Sequence, residues 1–246
     1  MKHLKLITVS LLPAIWIIYF LFESISGRIN NISIVVGNIC LIILFALVGI
    51  LTYRLNSKYI NGFSTKKVFL FLIAIDQGAK IIIKFFFFDT HFNLIKNFLS
   101  FSPIINTNGS WLNARFGTGI SFSLLIFINL FALFFILELY RYNTKDSKNF
   151  WKDSSFTFIL AGALCSLIDK LFYGGSLDFI GIGTLFIADF KDIFINLGLY
   201  LFIIMLYSDG YFSSTEDSTI SDDFKGINKF LRFVKYDFLQ LFNKKH

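Results

Sequence analysis

The chain has 246 residues, 55% of them hydrophobic and 34 of them Phe, and a formal net charge of +7. That much apolar side chain exceeds what a soluble domain of this size can bury, so the composition excludes that class and points to an all-α polytopic membrane protein. Cys40 and Cys165 both lie in apolar stretches and the three histidines, His3, His91 and His246, are scattered, so neither a disulfide framework nor a metal-ligand spacing exists. No metal, cofactor or nucleic-acid partner is expected. The Phe excess needs no more than a biased base composition filling lipid-facing positions.

Apolar windows long enough to span a bilayer need about 20 helical residues, and six occur, near 4–22, 33–53, 68–88, 120–140, 155–173 and 191–208. The first carries Pro13 and Trp16 and has no small-residue cleavage pattern before Ser24, so it reads as an uncleaved anchor. Of the 23 basic residues, 16 fall at the termini and in the turns after the second, fourth and sixth windows, against Arg28, Lys96 and Arg115 in the opposite loops. The positive-inside rule therefore puts both termini in the cytoplasm and turns loops 23–32, 89–119 and 174–190 outward.

In the third window DQGAK, residues 76–80, interrupts a run of Phe, Leu and Ile. Asp76, Lys80 and Lys84 are spaced by four and share one helical stripe, which predicts an intramembrane ion pair facing the bundle interior. Its role is either structural, joining helices, or support of an active site. The following loop, 89–119, is too long for a plain connection and predicts a short sheet and a helix resting on the membrane surface.

The fifth window holds AGALCSLIDK, residues 161–170, where Gly162, Ser166 and Asp169 follow i, i+4, i+7 spacing and form a small-residue face. Counted from Ser155, Asp169 lies about 21 Å along the helix axis, near the outer boundary. The sixth window starts from that side with ADFKDIFINLG, residues 188–198, so Asp192 sits in its first turn at the same level. Two acids at one depth inside apolar segments predict a site, because each costs several kcal/mol in hydrocarbon unless paired or hydrated. Two carboxylates in a low-dielectric pocket share a proton, one acting as base for water while the other polarises a carbonyl, which is amide hydrolysis without a covalent intermediate. No His lies in any window, and no serine stands at the depth of Lys80 to make a Ser/Lys pair. A proton-coupled transporter using Asp76, Lys80 and Asp169 is disfavoured by the lack of an internal repeat.

Beyond the sixth window, an acidic Ser/Thr-rich linker over 208–223 precedes a segment that lines up Ile227, Phe230, Leu231, Val234, Phe238 and Leu241 between basic residues. An amphipathic helix lying on anionic phospholipid is the expectation, with a partner-binding helix as the alternative.

From 67 to 208 the chain resembles the bacterial lipoprotein signal peptidase family, signal peptidase II, four-span intramembrane aspartyl proteases. DQGAK is similar to the family's DQxxK; Asn106 within NFLSFSPIINTNGSW falls on the Asn of the outer-loop pattern ending in NxGAAF. AGALCSLIDK resembles GGALGNLIDR and puts Asp169 on the first catalytic Asp, and GGSLDF supplies the loop acid as Asp178. In DIFINLG, Gly198 follows Asp192 by six positions as in the family's last motif, which assigns the second catalytic Asp to Asp192, with Asp189 as its rival. The resemblance implies removal of signal peptides from diacylglyceryl-modified prolipoproteins just before the lipidated Cys, near the outer face of a bacterial cytoplasmic membrane, and inhibition by the cyclic peptide globomycin. It implies supporting or substrate-binding roles for Asp76, Lys80, Asn106, Ser166, Lys170, Asp178 and Asp189.

The chain departs from the family pattern at several positions. Cys165 and Ser166 replace Gly and Asn, Lys170 replaces Arg, Asn108 replaces Gly, and Asp189 and Lys191 stand for the Asn and Ala of NxAD. A non-catalytic or re-specialised relative that binds lipidated peptides is the alternative these changes raise. The expected organisation is a two-helix membrane hairpin over 1–58, a four-helix catalytic core with a small β-containing loop over 59–208, and a cytoplasmic tail over 209–246. The hairpin has no counterpart in the four-span core and serves as scaffold, as partner-docking surface or as a wall for substrate entry.

Overall fold

The computed structural model describes residues 3–29, 31–59, 65–108, 113, 117, 119–183, 185–212 and 220–243. In chain order, helices α1 (Leu4–Ile25), α2 (Ile32–Ser57) and α3 (Thr65–Ile82) lead to strands β1 (Phe92–Ile95) and β2 (Leu99–Asn106). Helices α4 (Phe122–Thr144) and α5 (Phe150–Ile168) come next, then strands β3 (Ser176–Ile182) and β4 (Phe186–Ala188), and helices α6 (Phe190–Ser208) and α7 (Ile220–Asn243). Five helices are long and apolar enough to cross a membrane: α1, α2, α4, α5 with its continuation to Tyr173, and α6. The 18-residue α3, which carries Lys66, Lys67, Asp76 and Lys80, is not among them, so the described chain is a polytopic membrane protein with five such helices rather than the six read from apolar windows.

The helix starts follow local rules. Asn31, Ser121 and Asn149 cap α2, α4 and α5, their side chains accepting from Ser33, Leu124 and Lys152 backbone N–H groups. Two helices change pitch where polar residues gather: α3 runs into a π-turn over Ile83–Phe87 and α5 into one over Asp169–Tyr173. Gly174 then stops the second turn in the left-handed conformation, at φ 64°, which a glycine adopts without steric cost.

The α5 helix is the centre of the molecule, buried along most of its length. It meets α6 at backbone distance: a Cβ on Gly162 would lie 2.9 Å from the Lys191 carbonyl oxygen, and one on Gly198 would lie 2.8 Å from Ile159 N. The small-residue face expected of this stretch therefore lets two membrane helices touch. Toward the start of α5 and the end of α6, Phe150, Trp151 and Phe156 of α5 pack with Tyr200, Leu201, Ile204 and Met205 of α6, and Leu4, Ile7 and Leu11 of α1 close over them.

The hairpin α1–α2 is seated on this core and on the loops. Tyr200 donates to the Thr8 carbonyl at 2.6 Å and stands 3.1 Å from Thr52 Oγ1, joining α6 to both hairpin helices. At the other end, Arg28 donates to the Leu185 carbonyl at 2.9 Å, and Trp16 packs edgewise and Tyr19 tilted on Phe186. Phe98 fills the notch left by Gly37, where a Cβ would come within 2.2 Å of its ring.

The sheet is antiparallel throughout, in the order β1-β2-β3-β4. It is made by two loops far apart in sequence, because β2 from the first pairs with β3 from the second, Asn106 opposite Ser176 and Ile104 opposite Asp178. The sequence placed strands in the first loop alone; the second supplies the other half. The surface helix expected later in the first loop lies outside the described residues. The α7 helix is amphipathic as expected, and it docks on α4: Arg141 pairs with Asp237, and Phe230 packs between Phe135 and Tyr142. Ile227, Leu231 and Phe238 remain exposed along its length.

Candidate active site

Where α5 passes into its π-turn, the backbone delivers Asp169 into a closed polar cluster in which the side chain is 1% exposed. A π-turn inserts one residue into a helical turn and is frequent at functional sites. Asp169 Oδ2 accepts from Lys80 Nζ at 2.7 Å and lies 3.1 Å from Ser176 Oγ and 3.4 Å from Lys191 Nζ. Gln77 Nε2 reaches its Oδ1 at 3.4 Å.

Lys80 and Asp76 form the i, i+4 pair expected from DQGAK, at 2.8 Å, with both side chains buried. The Lys80 ammonium also binds Asp189 Oδ2 at 2.7 Å, so one cation ties α3 to the ends of α5 and α6. Asp76 has a second partner across the bundle: its Oδ1 accepts the Lys191 backbone N–H at 3.0 Å. That N–H is one of the first-turn donors of α6 that have no partner within the helix. Lys84, expected on the same stripe, is carried away by the π-turn and lies over the Tyr173 ring at 5.2 Å.

The start of α6 is a reciprocal cap. Asp189 Oδ1 accepts the Asp192 N–H at 3.2 Å, and Asp192 Oδ2 accepts the Asp189 N–H at 3.3 Å. The other oxygen of Asp189 receives Lys80 at 2.7 Å and Lys191 at 2.5 Å. Burial works to raise the Asp189 carboxyl, but Lys191 and Lys80 outweigh it and hold it below the usual carboxylate range. Asp192 differs in exposure: its side chain is 41% exposed at the rim of the cluster.

From the sheet, period-two alternation puts Ser176 and Asp178 on one face of β3. Asp178 accepts from Asn106 Nδ2 at 2.8 Å and from Ser176 at 2.6 Å. Burial pushes the Asp178 carboxyl up, against the pull of Lys191 and of its hydrogen bonds. Gly175 permits the close passage of β2, since a Cβ there would stand 2.9 Å from the Asn106 carbonyl oxygen.

Thus Asp76, Lys80, Asn106, Asp169, Asp178, Asp189 and Asp192 converge. Ser166 and Lys170 bind each other rather than the acids, Lys170 Nζ to Ser166 Oγ at 2.6 Å. Three members carry more than the sequence suggested. Ser176 bridges the acids; its signal was the Gly-Gly turn before it and the i+2 spacing to Asp178. Gln77 joins Asp76 and Asp169 from inside the DQGAK string. Lys191, which the sequence marked only as a departure from the family pattern, lies within 3.9 Å of carboxylate oxygens of Asp169, Asp178, Asp189 and Asp192.

The oxygens of Asp178, Asp189 and Asp192 lie within 4.8 Å of one another, the one such acidic group among the described residues. The Lys191 ammonium reaches all three, so the positive charge they surround is a side chain of the chain itself. Chemically, the cluster offers a buried acid held by cations, a rim acid open to water and an ammonium between them.

A family model described as signal peptidase (SPase) II matches residues 68–208, a stretch that contains every residue of this cluster. A lipoprotein signal peptidase from Caldicellulosiruptor bescii is 28% identical over 141 residues, covering 56% of this chain and 86% of that protein. A lipoprotein signal peptidase from Staphylococcus aureus strain JH9 is 26% identical over 162 residues, covering 63% of this chain and 94% of that protein. In fold, the chain is similar to a bacterial membrane enzyme solved by the in meso method at 1.9 Å resolution, with a TM-score of 0.50, 23% identity and 61% of this chain and 96% of that one covered.

Proposed function

The chain belongs to the signal peptidase II family, and from that premise we propose that it is an intramembrane aspartyl endopeptidase that removes signal peptides from diacylglyceryl-modified prolipoproteins, cutting before the lipidated Cys. The observation that carries the reading is the pair Asp169 and Asp192, one sealed and one open, on either side of a single ammonium at the adjoining ends of α5 and α6.

Amide hydrolysis without a covalent intermediate requires a base for water on one side of the scissile carbonyl and a hydrogen-bond donor on the other. Asp192 suits the base. It lies at the rim, with Oδ2 accepting a 3.3 Å backbone bond and Oδ1 held only at 3.9 Å from the Lys191 ammonium. Asp169 with the cations it holds forms the opposite wall. Asp189 suits neither part, since both its oxygens are committed, one to the α6 cap and one to Lys80 and Lys191. Its work is to fix the first turn of α6 and hence the position of Asp192. Asp76 and Lys80 anchor that turn from α3; Asn106 and Asp178 brace the sheet against it.

In this reading α3 is the sixth span. Its buried charges, Asp76 and Lys80, are neutralised within the bundle, which lowers the cost of burying them. The basic residues of the termini and even-numbered turns place both ends in the cytoplasm and the cluster near the outer face, with α7 against the inner leaflet. The lipid-modified precursor would enter from the bilayer, presenting its peptide bond to the cluster.

A second reading has a specific observation in its favour: Lys191 fills the space among the acids, as it would in a relative that binds lipidated peptides without cleaving them. A cleavage assay decides between the two. Purified chain in detergent or vesicles should release the signal peptide from a diacylglyceryl-modified precursor and not from the unmodified one, and globomycin should block it. Asp169→Asn and Asp192→Asn should each abolish release while leaving the protein inserted and folded. Retained cleavage in either variant would refute the pair, and absence of cleavage by the unaltered chain would favour the binding relative.

A further inference from the structure

The Lys191 ammonium has no room to be a bystander. It touches Ser176 Oγ and Asp189 Oδ2 at 2.5 Å, lies 3.4 Å from Asp169, 3.6 Å from Asp178 and 3.9 Å from Asp192, and its side chain is 7% exposed. A two-carboxylate site ordinarily keeps its shared proton between the two acids, and that proton later polarises the substrate carbonyl. Here an ammonium stands between them. The obvious holder of such a proton, Asp169 Oδ2, already faces Lys80, Ser176 and Lys191. An oxygen that already faces two ammonium groups does not aim a proton at a substrate. Lys191 stands where the resembled family pattern has alanine, so this charge is a feature of the present chain.

We propose that Lys191 is a catalytic residue of this site, the hydrogen-bond donor that polarises the scissile carbonyl in place of a protonated aspartic acid. The inference rests on the peptidase reading above. Asp192 takes a proton from water, and the water oxygen bonds to the carbonyl carbon. The carbonyl π pair moves onto its oxygen, where the Lys191 ammonium donates to it. The oxyanion then collapses, the C–N bond breaks, and the proton held by Asp192 passes to the leaving amide nitrogen. Lys191 donates a hydrogen bond throughout and keeps its proton, so no other reactant is needed. Its long side chain can turn from Ser176 toward the rim, where Asp192 lies.

The charged and titratable groups facing Lys191 come from every element around it. They are Asp76 and Lys80 from α3, Asp169 and Lys170 from the π-turn, Asp178 from β3, and Asp189 and Asp192 from the start of α6. The acids outnumber the cations, so a positive charge is what this pocket accommodates at Lys191.

The test is the pH profile of kcat for Lys191→Ala and Lys191→Arg beside the unaltered chain, using a diacylglyceryl-modified precursor peptide. Removing the donor should lower kcat at neutral pH by roughly 10²–10³-fold, as loss of one oxyanion donor does. The activity that remains should fall on the alkaline side at a lower pH than in the unaltered chain, because a shared carboxyl proton must now do the polarising. Lys191→Arg, which keeps charge and donors, should return the alkaline limb to its original place. A role confined to packing would lower the amount of folded protein and leave the limb unmoved, so profiles that superimpose after scaling overturn the inference. If Lys191→Ala fails to fold, Lys191→Gln, of similar length and without charge, is read in its place with the same criterion. Cleavage by the unaltered chain with an unmoved limb in the variants sinks the inference alone, whereas no cleavage at any pH sinks the peptidase reading and the inference with it.

Discussion

Replacing Asp189 and Asp192 by Asn, one at a time, should separate stability from catalysis at two positions three residues apart. Asp189 is fully buried and its charge contacts Lys80 at 2.7 Å and Lys191 at 2.5 Å. Asn keeps the cap, because its carbonyl oxygen can still accept the Asp192 N–H and Asn is as good a cap as Asp. It loses the buried ionic contacts, and leaving buried cations short of a partner costs about 3–5 kcal/mol. Asp192 lies at the rim, and its one bond to the Asp189 N–H survives in the amide, so Asp192→Asn should cost below ~1 kcal/mol from the helix N-terminus. The rates should run the other way. Removing a general base costs about 10²–10⁴-fold. Asp189→Asn, still folded, should stay within about tenfold of the unaltered chain, equivalent to ~1.4 kcal/mol in the barrier. Thermal melting in detergent and kcat on the lipidated precursor measure the two axes. A dead Asp189→Asn protein that melts like the unaltered chain, beside an active Asp192→Asn, would refute the assignment and make Asp189 the partner of Asp169.

Gly198→Ala should force α5 and α6 apart, since the new Cβ would meet Ile159 N at 2.8 Å and the Ser155 carbonyl at 3.1 Å; a loss of about 1–3 kcal/mol with reduced kcat is expected, whereas Gly78→Ala, with open space at its Cβ, should be neutral or stabilising by melting temperature. Two pH slopes of opposite sign should appear when melting temperatures are compared with Asn variants. The Asp189 carboxyl is held below its ordinary 3.8, so its contribution is present above that value and lost as pH falls through the lower folded value. The Asp178 carboxyl is raised above 3.8, so its contribution is present below 3.8 and lost as pH rises through the higher folded value. A slope of the wrong sign in either comparison would contradict the surroundings described for that acid. Arg28→Ala removes the bond from the hairpin to the Leu185 carbonyl and an ion pair to buried Glu23; a loss of about 1.5–3 kcal/mol and a lower kcat are expected if the hairpin steadies the β3–β4 turn, and an unchanged kcat would confine it to a scaffold.

Much of the molecule was written in local sequence. Membrane helices follow from the length of apolar runs, because hydrocarbon forces every backbone group to be satisfied within the segment. The Asp76–Lys80 pair follows from helical spacing, and the close approach of a neighbouring helix to α5 from the small-residue face that includes Gly162. The order of short motifs carried the family resemblance, and the placing of Asp169, Asn106 and Asp178 followed from it.

The tertiary structure decided what depends on residues distant in the chain. A strand in loop 174–190 forms only because β2 offers it a ladder some 70 residues away, as Asn106 opposite Ser176 illustrates. The charges of α3 kept it from the set of five apolar spans, and the neutralisation of Lys80 by Asp169 and Asp189 is invisible along the chain. The difference in surroundings between Asp189 and Asp192 likewise lay beyond local pattern, since it turns on which carboxylate Lys80 and Lys191 saturate and which one the rim leaves open. Electrostatics acts through space: the charges this membrane protein carries can be read along the chain, whereas their meetings exist only once it is folded.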